Sequence, residues 1–263
     1  MPTGSILETG NSGFFNNSPF FPRLKRQPED HEGLNRLNHR YDRIIGSNIE
    51  HVRGKRILDL ACHNGRWSWA ALKSGASFVL GIEGREEAIN AGLPHFKEFD
   101  SKSYEFVCGD ISNILEQDIQ SRYGKFDTIF CLGIYYHVIE HYRIFKRMAE
   151  LKPAFIIIDS DVLESTIPLT FWRPEKVHGQ FTAIADREGE TSTLIGVVSL
   201  GTLELLAATF GFDISLASWD KTAISHTLGL DDYLQSEPVK GTQLDSDSPP
   251  VTHRRMTALF RRR

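Results

Sequence analysis

An α/β fold, with a mostly parallel sheet covered by helices on both faces, is predicted by three observations. Short apolar runs alternate with amphipathic stretches from Arg56 to Asp159. The runs are apolar almost throughout, as strands buried on both faces must be. Acidic residues (Asp59, Glu83, Asp110) stand at or near the ends of the first three runs, on the carboxyl edge where open α/β sheets bind ligands.

The elements follow in order. Residues 13–22 (GFFNNSPFFP) are aromatic but broken by Asn and Pro. Such a segment holds no regular element by itself and is expected to form a lid. Leu34, Leu37, Tyr41 and Ile44 recur at helical spacing, predicting a helix over 34–45. Strands are expected at 56–61, 78–83, 104–108, 126–132 and 154–158. Helices are expected between them at 67–72, 86–96, 114–123 and 138–151. The alternation then breaks. Residues 164–198 carry Pro168, Pro174 and Gly189 and read as an insertion, with a hairpin turning at Gly189. Ser199 is the expected N-cap of a helix that Gly211 stops. Strands at 212–219 and 256–260 close the chain. Residues 231–247, with five acids against Lys240, read as a mobile surface loop. No internal repeat is evident.

Composition narrows the function. The 263 residues fit one large domain or one domain with additions. A net charge of −4 argues against a dedicated duplex-binding protein. Cys62, Cys108 and Cys131 form neither a disulfide framework nor a zinc motif, and a cytoplasmic protein with reduced thiols is expected. The first residues do not read as a signal peptide. The most apolar stretch, 193–212, holds Glu204 and three glycines, which makes it a poor membrane span.

The first strand runs into a helix through Asp59-Leu60-Ala61-Cys62-His63-Asn64-Gly65. The dinucleotide fingerprint would need glycine where Ala61, His63 and Arg66 stand, so a pyrophosphate loses its approach. Glu83, an acid at the tip of the adjacent strand, can take both hydroxyls of a ribose. Asp110 can bond an adenine amino group while Ile111 packs on the ring. A nucleoside without phosphates fits this edge.

These residues resemble the class I S-adenosylmethionine-dependent methyltransferases, well over 51–163 and weakly over 199–263. Asp59, Ala61, His63 and Gly65 fall on that family's acid-x-Gly-x-Gly-x-Gly loop, with Trp67 just after it. Glu83, followed by Gly84, falls on its ribose acid. Asp110, followed by Ile111, falls on its adenine acid, and Leu132-Gly133 on its fourth-strand turn. Two glycines are replaced, and His63 occupies a position that calls for positive φ. The resemblance implies a Rossmann-like, seven-stranded sheet in order 3-2-1-4-5-7-6 with the seventh strand antiparallel, and S-adenosylmethionine as cofactor. It also implies that Arg40 and Tyr41, in the preceding helix, meet the methionine carboxylate. The chain then divides into an arm and cap helix, 1–50, and a methyltransferase domain, 51–263, with its insertion at about 164–198.

The acceptor should lie at the ends of strands four and five. His137 and His141 follow strand four, four residues apart, and Asp159 and Asp161 follow strand five. His137 or Asp161 can serve as general base. Alternatively His137, Asp159 and Asp161 hold a divalent cation such as magnesium that clamps vicinal hydroxyls. Trp172 and His178 are candidates for the acceptor wall. The resulting reading is a cytoplasmic O-methyltransferase of a small polar hydroxyl compound, with sugars among the candidates. Neither membrane nor nucleic acid is an expected partner, and a homodimer stays open. One rival reading is an RNA methyl- or carboxymethyltransferase acting on a wobble nucleoside, supported by arginines 254, 255 and 261–263. Another is a nucleoside-binding module without catalysis.

Overall fold

The structure is a computed structural model that describes residues 12–20, 28–177, 182–184, 189–219, 230–239 and 250–263. Helices and strands run in the order α1 (Pro28–Ile44), β1 (Arg56–Leu60), α2 (Arg66–Lys73), β2 (Phe78–Glu83), α3 (Glu86–Gly92), β3 (Tyr104–Cys108), α4 (Ile111–Leu115), α5 (Ile119–Tyr123), β4 (Thr128–Leu132), α6 (His141–Glu150), β5 (Phe155–Leu163), β6 (Thr170–Lys176), β7 (Ser192–Val198), α7 (Leu200–Phe210), β8 (Phe212–Leu216), α8 (Asp231–Leu234), β9 (Glu237–Pro238) and β10 (Thr252–Arg262). The main sheet has the order β3-β2-β1-β4-β5-β10-β8, with β9 added on β10. β1 to β5 are parallel, while β10 is antiparallel to both its neighbours. Once the separate β6–β7 ribbon is set aside, this is the expected 3-2-1-4-5-7-6 order.

The sheet separates two apolar layers. One packs α4 to α7 around Leu58, Ile129, Phe145 and Phe260. The other packs α1 and α2 around Ile57, Trp67, Phe130 and Ile157. Alternate residues of β1, Ile57 and Leu58, go to opposite layers, as the two-residue period of a strand requires. No described helix is long and apolar enough to cross a membrane.

Several boundaries differ from expectation, each for a local reason. The expected helix 114–123 is two short helices, because Asp110 and Asp118 each cap a new start, accepting from the backbone N–H of Asn113 and Ser121. The expected helix 86–96 ends at Gly92 and continues as a 3-10 turn with Pro94 near its start. The expected helix 138–151 begins only at His141, after a 3-10 turn over Tyr135–His137 and an extended Val138. β5 runs on to Leu163 because β10, also longer than expected, pairs with it along its whole length. Within 231–247, α8 and β9 are ordered and Tyr233 is fully buried; residues 240–249 lie outside the described ones. Ser199 and Gly211 cap α7 as expected, Ser199 accepting from the N–H of Thr202 and Gly211 adopting φ 75°.

The arm is also different. Phe15 is fully buried, edge-on to Trp67 at 5.7 Å, and Phe14 stacks on Tyr41 at 3.7 Å. The Phe15 N–H donates to Asn38 Oδ1. Over residues 12–20 the expected lid is therefore anchored in the core by Phe15, while Asn16 and Asn17 stay exposed.

Candidate active site

The site forms at the carboxyl ends of β1 to β5. After β1 the chain turns through Ala61 (φ 53°), His63 (φ 52°) and Gly65 (φ 75°). All three positions are left-handed, although two carry side chains, which costs about 1–2 kcal/mol each. Gly65 is needed twice, since a Cβ there would also come within 2.9 Å of the Phe96 and Phe106 rings. Glu83, 4% exposed, holds the turn by accepting from the N–H groups of His63 (2.9 Å) and Arg85 (3.0 Å). Asp59 lies beneath, 1% exposed, and accepts from Ser68 Oγ at 2.6 Å. Burial pushes its carboxyl up to about 7, with the charge of Glu83 adding and Ser68 opposing. At the third tip, Asp110 is exposed and Ile111 buried. Leu132 is half-buried and leads into Gly133, φ 89°.

Cations gather on one side of this edge. Arg40, 9% exposed, lies over the Trp67 ring at 5.1 Å and donates to Asp159 Oδ1 at 3.1 Å. Arg66 pairs with no acidic group among the described residues. Burial, with the like charge of Arg40, pushes its guanidinium down to about 10. The Nε atoms of both arginines are buried without a hydrogen-bond partner. Arg66 was not among the expected site residues. Its signal was the basic side chain at the first helical position, directly after the loop. Tyr41 is not brought to this edge: its hydroxyl bonds Ser74 Oγ at the far end of α2, at 2.9 Å.

The expected metal centre is not formed. Asp159 is fully buried inside β5, where Arg255 Nε (2.5 Å), Arg40, Tyr233 Oη (2.7 Å) and Thr257 Oγ1 (2.8 Å) all donate to it. Burial alone would raise its carboxyl, but Arg255 and Arg40 hold it down at about 2. With both oxygens satisfied by cations and hydroxyls, Asp159 has no lone pair directed to a metal, so magnesium through His137, Asp159 and Asp161 is set aside. No described cluster of three His, Cys, Asp or Glu side chains is arranged to hold an ion.

His137 instead meets a residue from the insertion. Its Nδ1 lies 2.6 Å from Glu175 Oε2 on β6, and the imidazole is nearly buried, at 7% exposure. Burial pushes its basicity down; Glu175 and Asp161 oppose this and Arg255 adds to it. His141 does not share the site: its Nε2 lies 2.9 Å from the carbonyls of both Tyr135 and Gly196, below the surface. Trp172 is 60% exposed and lines an outer groove with Ile139 and Tyr142 rather than the strand edge. His178 lies outside the described residues. Glu175 carried no sequence signal beyond being an acid in a segment without periodicity.

The insertion reaches the cofactor edge as well. Arg85 Nη2 donates to the Thr182 carbonyl at 2.7 Å, and the Ala183 N–H donates to Glu175 Oε2 at 2.7 Å. A Cβ on Gly84 would come within 2.2 Å of Ile184. The C-terminal arginines are engaged internally: Arg254 with Glu164, Arg255 with Asp159, Arg261 with Glu50 and Arg263 with Asp213, while Arg262 donates to two carbonyls.

Comparison with known proteins agrees with this geometry. Residues 51–199 match the model of a methyltransferase-domain family. Among curated proteins, a tRNA U34 carboxymethyltransferase of Pseudomonas putida (strain GB-1) is 29% identical over 130 residues, covering 44% of this chain and 37% of that protein. One from Trichodesmium erythraeum is 27% identical over 178 residues, covering 61% and 49%. The chain thus spans less than half the length of these relatives. Among solved structures, the N-terminal domain of EvdMO1 with SAH bound superposes with a TM-score of 0.56 at 19% identity, over 91% of this chain and 83% of that one. An S-adenosylmethionine-dependent methyltransferase from Mesorhizobium loti gives 0.51 at 18%, over 80% and 93%. The match over more than half the chain, on a sheet of this order with this loop after its first strand, makes the protein a member of the class I S-adenosylmethionine-dependent methyltransferases.

Proposed function

We propose that the protein is an O-methyltransferase that acts on a hydroxyl of a small polar molecule, sugars among the candidates, with His137 as general base. The observation that carries this is the buried His137–Glu175 pair beside the fourth-strand turn. The cofactor supplies a methyl group on a sulfonium, so the protein's task is alignment and proton removal. Glu83 takes the ribose hydroxyls, and Asp110 and Ile111 the adenine. The loop 61–65 over Asp59 passes beneath, with Gly84 and Leu132 at its sides and Trp67 supporting Arg40. The guanidinium of Arg66, with Arg40 beside it, suits the methionine carboxylate, since each offers a buried Nε–H without an acceptor among the described residues. His137 is neutral at physiological pH, its basicity lowered by burial. With Nδ1–H donating to Glu175, Nε2 is left as the base. Asp161 supports the positive charge that develops on the ring. The free thiols Cys62, Cys108 and Cys131 favour a cytoplasmic setting.

The test is turnover of a panel of sugars and other polyols, read by mass spectrometry. His137→Ala should lower turnover by roughly 100-fold or more, with S-adenosylhomocysteine affinity unchanged. The wild-type rate should rise with pH through a value below the ordinary histidine value and level off by about neutrality, because burial lowers the pKa. A His137→Ala enzyme of normal rate refutes the assignment.

A second reading, carboxymethyl transfer to a wobble uridine, is supported by the curated relatives and by one feature of the site. The Arg255 guanidinium lies over the Tyr136 ring at 5.7 Å and within 3.3 Å of where a Gly133 Cβ would stand, so it is placed to meet an anionic transferred group. The internal pairing of the other C-terminal arginines weakens the case for an RNA surface. Mass spectrometry of the nucleoside retained on purification separates the two readings.

A further inference from the structure

We propose that Glu175 is a positioning residue that couples the seating of residues 182–184 over the Glu83–Arg85 turn to the orientation of His137. The proposal rests on the reading of His137 as base and extends it to how that base is switched on.

One oxygen, Glu175 Oε2, serves two partners. His137 Nδ1 lies 2.6 Å from it and the Ala183 N–H donates to it from 2.7 Å. The first partner belongs to the proposed acceptor side, in the turn after β4. The second belongs to a segment that touches the cofactor side. There Arg85 donates to the carbonyls of Thr182 (2.7 Å) and Ala183 (3.4 Å), Ala183 is 6% exposed, and Ile184 sits where any side chain at Gly84 would collide with it. The backbone N–H of Arg85 in turn donates to Glu83. A continuous set of hydrogen bonds therefore joins Glu83, through Arg85, residues 182–183 and Glu175, to His137.

The physical consequence concerns the tautomer. A neutral imidazole has one N–H, and the hydrogen bond at one ring nitrogen decides which nitrogen keeps the lone pair. A carboxylate fixed at Nδ1 selects Nδ1–H and leaves Nε2 as the base. Glu175 lies on the β6–β7 ribbon, which is not hydrogen-bonded into the main sheet, and the Ala183 N–H is the contact from residues 182–184 that fixes its carboxylate. When residues 182–184 are unseated, that anchor goes and the selection weakens. The charged and titratable groups acting on His137 are Glu175 from β6, Asp161 from β5 and Arg255 from β10; of these, only Glu175 also contacts residues 182–184.

The experiment needs no acceptor. Histidine side-chain 15N–1H spectra of the full chain are recorded with and without saturating S-adenosylhomocysteine, with His137 assigned by His137→Gln. In the wild type, ligand should move His137 to the Nδ1–H form. Glu175→Leu removes the acceptor from both partners, so the His137 response should disappear, while Arg85 still holds residues 182–183 and ligand affinity should fall by less than about threefold. Arg85→Met, which removes the tether to 182–183 together with the 3.9 Å ion pair to Glu83, should weaken the ligand by about tenfold and cut the His137 response by more than half. A wild-type His137 that ignores the ligand, or a Glu175→Leu protein that responds normally, overturns the coupling. Failure of the base reading appears separately, as normal turnover by His137→Ala with these spectral responses intact.

Discussion

Asp159→Ala should be among the most destabilising single changes in this protein, and the reason lies in the charges it would strand. The carboxylate is fully buried and accepts from Arg255, Arg40, Tyr233 and Thr257. Both arginine side chains are about a tenth exposed. Removing the acid leaves two buried guanidiniums, and breaking a buried pair from one side costs about 3–5 kcal/mol. The acidity of the carboxyl points the same way. The carboxyl is held at about 2 against an ordinary 3.8, and at about 1.36 kcal/mol per pH unit that is about 2 kcal/mol of stability. Because the folded value is the lower one, this contribution is fully present above about pH 4 and is lost as the pH falls towards 2. Urea unfolding followed by circular dichroism at pH 7 should therefore show a loss of about 3–5 kcal/mol for Asp159→Ala and a smaller one for Asp159→Asn, which keeps an acceptor. The wild-type advantage over Asp159→Asn should narrow at pH 3. Chelator should leave wild-type stability unchanged. A loss below about 1 kcal/mol, or a chelator effect as large as the mutation, would refute the clamp and restore the metal.

Three further outcomes are expected. Phe15→Ala should cost about 3–5 kcal/mol in the same unfolding assay without changing S-adenosylhomocysteine affinity, since the ring is core; weaker binding with unchanged stability would make the arm a lid after all. Glu83→Ala should weaken that ligand by about 1.5–3 kcal/mol in calorimetry, and unchanged affinity would remove Glu83 from the nucleoside site. Ala61→Gly should be neutral or stabilising by up to about 1 kcal/mol, because it relieves a left-handed alanine, whereas Ala88→Gly in α3 should cost about 1 kcal/mol; equal losses at both positions would mean that the loop stores no strain.

The parts of the fold that were legible in the sequence are those fixed by neighbours in the chain. Apolar runs located β1 to β5, and the caps at Ser199 and Gly211 bounded α7. The demand for positive φ at position 63 followed from the loop pattern, and His63 meets it. What stayed hidden depends on pairing across long stretches of chain. Asp159 appeared to lie past the end of its strand because the pairing that carries β5 through it, with Leu132 on β4 and Thr257 on β10, does not show in an apolar run. Its partners Tyr233 and Arg255 come from 74 and 96 residues downstream, one of them from a stretch whose acids read as a surface loop. Acids after an apolar run need partners, and for Asp159 these are two guanidiniums and two hydroxyls. Whether the cation is a metal or a guanidinium is decided by topology, which the spacing of the acids does not contain.

The same distinction explains why the two sides of the site differ in how they were read. The cofactor side is built from strand tips and the turns directly after them, so each residue's place follows from its strand. The acceptor side takes Glu175 from the β6–β7 ribbon, whose pairing places Glu175 opposite Thr193 but says nothing about where the ribbon lies on the sheet. That placement comes from contacts between distant segments: the Gly196 N–H donates to the Val138 carbonyl, His141 Nε2 lies against the Gly196 carbonyl, Val197 packs with Leu163, and His137, the Ala183 N–H and Arg85 add theirs. A sheet edge of this kind therefore specifies a methyl donor through local sequence, while the proposed acceptor side rests on an insertion placed by contacts between distant segments. Substitutions at Arg85, Glu175 or Gly84 should consequently alter which acceptor is used before they alter the fold.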